Sequence, residues 1–107
     1  MKLSIILPVY NEAGNIKKLI LAINDLEELK ELTKEYNVVD DNSTDGTALE
    51  TEKLIRKRLP VKLIIRQKQK GLATAIFAGL EAARGQVVVI MDTDFNHRPE
   101  DIPKLLQ

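Results

Sequence analysis

The sequence predicts an α/β fold, a three-layer sandwich in which helices cover both faces of a four-stranded parallel sheet. Three observations predict it. Short apolar, β-branched runs alternate with segments of helical periodicity. The segments joining successive runs are long enough for the crossover helices that parallel strands require. Two acidic pairs, Asp40 with Asp41 and Asp92 with Asp94, close two of the runs, at the strand ends where such sheets bind ligands.

The elements follow in order. Leu3–Leu7 reads as the first strand, and Ile16, Leu19, Ile20, Ile23 and Leu26 then recur at helical spacing, with Asn15 as the expected cap. Asn37–Val39 is a second strand ending in Asp40. Ser43–Gly46 is a turn in which Gly46 supplies a positive φ, and Asp40 and Asp45 are candidates to hold it. A helix follows from Thr47 to about Leu59, with Thr47 and Glu50 spaced as a capping box. Pro60 stops it, and Val61–Ile65 is the third strand. Gly71 opens a helix carrying Leu72, Ala73, Ile76, Phe77, Leu80 and Ala83, which Gly85 ends. Gln86–Met91 is the fourth strand, and Pro99 begins a short final helix through Ile102, Leu105 and Leu106.

Composition narrows the function classes. At 107 residues the chain reads as one domain, residues 1–107, able to bury a core without disulfides. Its 16 basic and 16 acidic side chains cancel, which argues against a nucleic-acid surface. The absence of cysteine excludes thiol catalysis and zinc–thiolate sites, and fits a reducing cytoplasm. The longest apolar runs, Leu3–Val9 and Val87–Met91, are far shorter than the roughly 18 residues of a spanning helix. The N-terminus lacks the cleavage site of a signal peptide, so secretion is not expected.

Chemistry concentrates at the acidic pairs. In an extended segment, residues two apart share a face, so Asp92 and Asp94 can aim both carboxylates at one point. Hard oxygen donors of this kind suit Mg²⁺ or Mn²⁺, whose shell substrate phosphates then complete, and Asn96 is a candidate third ligand. Asp41 is a candidate acceptor for a base N–H or a ribose hydroxyl. No G-x-G-x-x-G follows the first strand and no P-loop is present, so diphosphate handling falls to the metal. Arg66, Lys68 and Lys70 read either as a phosphate contact or as a solvated basic loop. His97 reads either as a wall of the diphosphate site or as a loop residue bonded to backbone, and it receives no catalytic role. A single histidine and no nucleophile elbow exclude a Ser/His/Asp set.

Four segments carry a resemblance: Leu7-Pro8-Val9-Tyr10-Asn11-Glu12, Val38 to Thr47, Lys70 to Ala75, and Met91 to Pro99. Together, in this order and spacing, the chain resembles the inverting family 2 glycosyltransferases of the nucleotide-diphospho-sugar transferase (GT-A) fold. Met-Asp-x-Asp followed by Asn-His-x-Pro is most similar to the dolichyl- or polyprenyl-phosphate mannose synthases and their glucose-transferring relatives. The resemblance implies a sheet in the order 3-2-1-4. It implies that Pro8, Tyr10 and Glu12 line the nucleotide, that Val39 and Asp41 hold base and ribose, and that Thr93 brings backbone near the diphosphate. It makes Asp92 and Asp94 the D-x-D metal pair, with Asn96 where some relatives use an amide ligand.

The resemblance further implies a hexosyltransferase acting from GDP-mannose or UDP-glucose onto a polyprenyl or dolichyl phosphate. Full members continue into an acceptor half, so the chain is expected to be a truncated form, the nucleotide-sugar half, with poor turnover alone and no assignable catalytic residue. Two other readings stand beside it: a binding or assembly module without chemistry, and a nucleotidyltransferase-like metal enzyme, which lacks its expected basic phosphate loop. The uncharged run Val87–Met91 is expected to leave an open sheet edge that favours a homo-oligomer. A cytoplasmic location, peripheral at the cytoplasmic membrane face, fits a lipid-phosphate acceptor.

Overall fold

A computed structural model describes residues 2–67, 71–91 and 98–106. Lys2–Val9 forms β1, Thr33–Asp40 forms β2, Val61–Ile65 forms β3 and Val87–Ile90 forms β4. They lie in the order β3-β2-β1-β4, all parallel, as expected. The register aligns Val9 with Asp40 and Asp40 with Ile65, so the carboxyl ends of the three strands finish level. Pro8 sits two residues past the last β1 residue paired with β4, at a strand end, where a missing N–H is tolerated.

Side-chain parity divides the sheet into two faces. Leu3, Ile5, Leu7 and Val9 of β1 and Tyr36 and Val38 of β2 are buried with Ile16, Leu19, Ile20 and Ile23 of helix α1, Ala13–Asn24. Leu54 of α2, Thr47–Arg56, joins the same cluster, as does Ile102 of the short helix α4, Asp101–Leu105. Each fully buried Leu or Ile contributes about 1.5–3 kcal/mol.

The opposite face is covered over β1 and β2 by α3, Leu72–Ala82. This helix approaches closely because Gly79 has no side chain: a Cβ there would meet Ile6 Cγ2 at 2.5 Å and Val39 Cγ2 at 3.3 Å. Among the described residues no helix is long and apolar enough to cross a membrane.

Several boundaries differ from the sequence expectation, each for a physical reason. β2 starts at Thr33 rather than Asn37, because the charged Glu35 is accommodated inside the sheet by bonds from Ser4, Lys62 and the Arg84 amide. The α1 cap is Glu12, not Asn15. The Glu12 carbonyl accepts the Asn15 and Ile16 amides, and the Asn15 side chain donates back to Glu12 Oε2 at 2.9 Å. α2 ends at Arg56, before a turn in which Arg58 takes φ 66°. The capping box of Thr47 and Glu50 does not form, because Thr47 Oγ1 is held by Asp45.

Candidate functional site

The loops that leave β1 and β2 are laced to one another. Asn11 and Asn42 each take a positive φ, 53° and 63°, just past their strands, a conformation asparagine tolerates better than most residues. The Asn11 amide donates to Ser43 Oγ at 2.8 Å, and its side-chain carbonyl accepts the Thr44 amide at 2.9 Å. The Glu12 amide donates to Thr47 Oγ1 at 3.0 Å. The Asp41 amide donates to the Val9 carbonyl at 3.1 Å. These cross-links fix the mouth of the sheet before any ligand arrives.

Asp40 and Asp45 hold this frame. Buried Asp40 accepts both the Ser43 amide, at 3.0 Å, and the Ser43 hydroxyl. Asp45 spans the first turns of two helices: Oδ1 accepts the Thr47 amide and hydroxyl, and Oδ2 accepts the Ala13 amide at 3.1 Å. Chiefly through the Thr47 hydroxyl, then these amides, its carboxyl is held below the usual range. Gly46, at φ 92°, makes the turn between them.

Asp41 faces differently. With Pro8, Val9, Tyr10, Leu72 and Ala75 it lines a cavity of about 160 Å³ beyond β1 and β2. That is smaller than the roughly 300–1,000 Å³ of a whole small-molecule site, and suits one ring system rather than a complete nucleotide sugar. Asp41 Oδ1 accepts Arg66 Nε at 2.6 Å and lies 2.6 Å from Arg66 Nη2, while Oδ2 accepts the Gly71 amide at 3.1 Å. Arg66 Nη2 also donates to the Gly71 carbonyl at 3.0 Å.

The structure brings together Pro8, Tyr10 and Asp41 of the sequence candidates. Tyr10 is half exposed at the rim. Glu12 lies one turn away at the α1 cap, its carboxylate bonded to Asn15. Val39 is fully buried beside Gly79 and belongs to the packing under α3 rather than to the cavity lining. Asp92, Thr93, Asp94, Asn96, His97, Lys68 and Lys70 lie outside the described residues. Among the described residues no group of three or more His, Cys, Asp or Glu side chains could hold a metal ion.

Arg66 corrects one expectation: it is not part of a solvated basic loop but is buried against Asp41. Leu72 and Ala75 received no ligand role from the sequence. The small-residue start of their helix, just after Gly71, was the available signal. A larger groove of about 560 Å³ between β3 and α3, lined by Ile64, Phe77 and Ala78, is mostly apolar and holds none of the candidates.

The sequence profile of glycosyl transferase family 2 matches residues 4–107. A dolichol-phosphate mannosyltransferase of Pyrococcus furiosus is 45% identical over 107 residues, all of this chain and 30% of that protein. The dolichol-phosphate mannosyltransferase of Saccharomyces cerevisiae is 40% identical over 106 residues, 97% of this chain and 39% of that one. The chain therefore spans about a third of the length of these relatives. Among solved structures, the mannosyltransferase PcManGT from Pyrobaculum calidifontis, in complex with GDP-Man and Mn²⁺, superposes with a TM-score of 0.73 at 33% identity, covering 86% of this chain and 27% of that one. Residues 1–349 of S. aureus TarS, in complex with UDP-GlcNAc, give a TM-score of 0.72 at 34% identity, covering 88% and 27%.

Proposed function

The chain belongs to glycosyl transferase family 2, and from that premise we propose that it binds the donor of a hexosyl transfer, GDP-mannose or UDP-glucose, in the cavity beyond β1 and β2. The observation that carries this reading is the convergence of Pro8, Tyr10 and Asp41 on one cavity at the carboxyl ends of the strands, walled by the start of α3. Apolar walls with one open carboxylate suit a base or ribose, which offer a flat face and an N–H or O–H donor. The acceptor we propose is a polyprenyl or dolichyl phosphate, supported by the dolichol-phosphate mannosyltransferases it resembles.

Mg²⁺ or Mn²⁺ is part of the proposal. Asp92, Asp94 and Asn96 would hold it, and their hard oxygen donors fit either ion. When bound, the ion neutralises charge on the diphosphate. A mannosyltransferase of similar fold is known with Mn²⁺ and GDP-Man together. The chain's own residues supply the base end: Asp41 accepts a donor hydrogen, Pro8 and Leu72 exclude water, and the laced loops hold Tyr10 at the rim.

The test is calorimetric titration with GDP-mannose and with UDP-glucose, each with and without Mn²⁺. Metal-dependent binding is expected, weakened in Asp92→Asn and Asp94→Asn with folding retained. Equal affinity in the wild type and in the folded double variant would falsify the metal assignment. Transfer to polyprenyl phosphate, assayed alongside, distinguishes an enzyme from a module that only binds.

β4 is an edge strand among the described residues, and its Val88 and Ile90 are 38% and 42% exposed, which supports self-association along that edge. A concentration series in light scattering that stays monomeric would rule it out. A cytoplasmic protein peripheral at the membrane face fits the proposed acceptor, and cell fractionation reads it directly.

A further inference from the structure

The β3–α3 connection begins with a buried cation whose bonds all serve its neighbours. Arg66 is 91% buried by its 9% exposure, and its guanidinium reaches Asp41 Oδ1 through Nε and Nη2 and the Gly71 carbonyl through Nη2. Its own Nη1 has no hydrogen-bond partner among the described residues. A buried N–H without a partner is unfavourable, so its persistence calls for an explanation. The guanidinium is placed where it organises Asp41 and Gly71, not where all its donors are satisfied.

These contacts use up most of the acceptor positions of the Asp41 carboxylate. A carboxylate offers about four. Arg66 closes on Oδ1 through the Nε hydrogen bond and the Nη2 ion-pair contact, and the Gly71 amide takes one position on Oδ2. Among the described residues Oδ2 has no further partner, and Asp41 lines the cavity. The same contacts tie Gly71 to β2, and so set Leu72 and Ala75 as the opposite wall.

We propose that Arg66 is a positioning residue for nucleotide binding: it locks Asp41 so that the carboxylate takes one hydrogen bond from the base or ribose, and it fixes the wall facing that bond. The inference rests on the donor-binding reading above and goes further by assigning a role to a residue that does not line the cavity. A ligand can give Asp41 only one hydrogen, from an imide N–H or a ribose hydroxyl. A paired two-donor contact to both oxygens is blocked while Arg66 is in place.

The test compares Arg66→Lys, Asp41→Asn and the double variant Asp41→Asn/Arg66→Gln with the unaltered chain. Folding is followed by circular dichroism, and GDP, UDP and inorganic pyrophosphate are titrated with Mn²⁺. Lysine keeps the charge and the fold but lacks the planar fork. Arg66→Lys is therefore expected to bind GDP or UDP about tenfold more weakly, with pyrophosphate affinity unchanged. The double variant should bind no worse than Asp41→Asn alone, because Arg66 acts through Asp41. Unchanged nucleotide affinity in Arg66→Lys overturns the inference and leaves the donor-binding reading standing. An equal loss of pyrophosphate affinity also overturns it, since a general structural role would move both. Failure of the unaltered chain to bind either nucleotide overturns both readings.

Discussion

At the amino ends of the strands Glu35 lies against Lys62, and at the carboxyl ends Asp41 lies against Arg66. Each carboxylate takes three contacts from its own chain. Glu35 Oε1 meets Lys62 Nζ at 2.9 Å, and its Oε2 accepts the Ser4 hydroxyl and the Arg84 amide. Ser4 in turn accepts the Gly85 amide at 2.7 Å, and Lys62 donates to the Ala82 carbonyl that ends α3. This cluster fastens the α3–β4 turn to β1 and β2. Asp41 takes its three from the β3–α3 connection alone, and lines the cavity at the carboxyl ends with Pro8 and Tyr10. Equal engagement serves different ends: Glu35 ties the α3–β4 turn to the sheet, and Asp41 is held at the carboxyl-end cavity beside Pro8 and Tyr10.

The cations differ as well, and this orders the expected effects. The Lys62 side chain is 42% exposed, whereas that of Arg66 is 8% exposed. Removing the charge of Asp41 leaves a cation that cannot reach water, so Asp41→Asn should cost about 3–5 kcal/mol in urea unfolding. Asp41→Asn/Arg66→Gln should recover much of that. A loss under about 1 kcal/mol in the single variant would show that Arg66 finds solvent or another partner, and the contrast between the two ends would fail.

Gly85→Ala tests how rigid the amino end is. Its new Cβ would stand 2.7 Å from the Ser4 amide nitrogen and 3.0 Å from the Lys2 carbonyl, backbone atoms fixed in β1. A loss of about 3 kcal/mol is expected, without loss of nucleotide affinity in the folded protein. Wild-type stability would mean the turn is free to move away.

Glu35→Gln should cost less, about 2 kcal/mol, because Lys62 can return to water once its partner is neutral. Acid titration adds a second reading. Burial works against ionisation of Glu35, but the Ser4 hydroxyl, the Arg84 amide and Lys62 outweigh it and hold the carboxyl at about 2, below its ordinary 4.5. A depressed carboxylate stabilises the fold fully above its unfolded value, and that contribution is lost as pH falls from about 4.5 toward 2. Glu35→Gln should flatten this acid limb, and an unchanged limb would assign it to other groups.

The smallest expected effect joins the two ends through α3. Gly79→Ala forces a methyl against the side chains of Ile6 and Val39, which can yield in part, so about 1–2 kcal/mol is expected. The displaced helix should also lower GDP or UDP affinity by a few-fold, since Leu72 and Ala75 ride on it. Stability lost with affinity untouched would show that the cavity wall is set by Arg66 and Gly71 alone.

Much of this molecule was legible in the order of its residues. Alternating apolar runs and helical periods give four parallel strands, and the pair Asp40 and Asp41 stands at the carboxyl end of β2, because both signals are local in the chain. Gly46 at its turn and Asp41 just past β2 also follow from position after a strand, while Pro8 and Tyr10 were marked by the family resemblance. Other features needed the tertiary structure. Thr33–Tyr36 joins β2 only because Ser4, Arg84 and Lys62, distant in sequence, satisfy Glu35. Asn15 loses the cap of α1 to Glu12, and Thr47 exchanges its capping box for Asp45, because contacts between loops outcompete local propensity. Arg66 looks solvated in sequence and is buried in space, since what surrounds a long cationic side chain is decided by the strand ends beside it. The sequence alone determined which residue types stand at the site; the packing of β2 against β3 and α3 decided which of Asp41's oxygens remains open, because hydrogen-bond saturation is a property of the assembled fold.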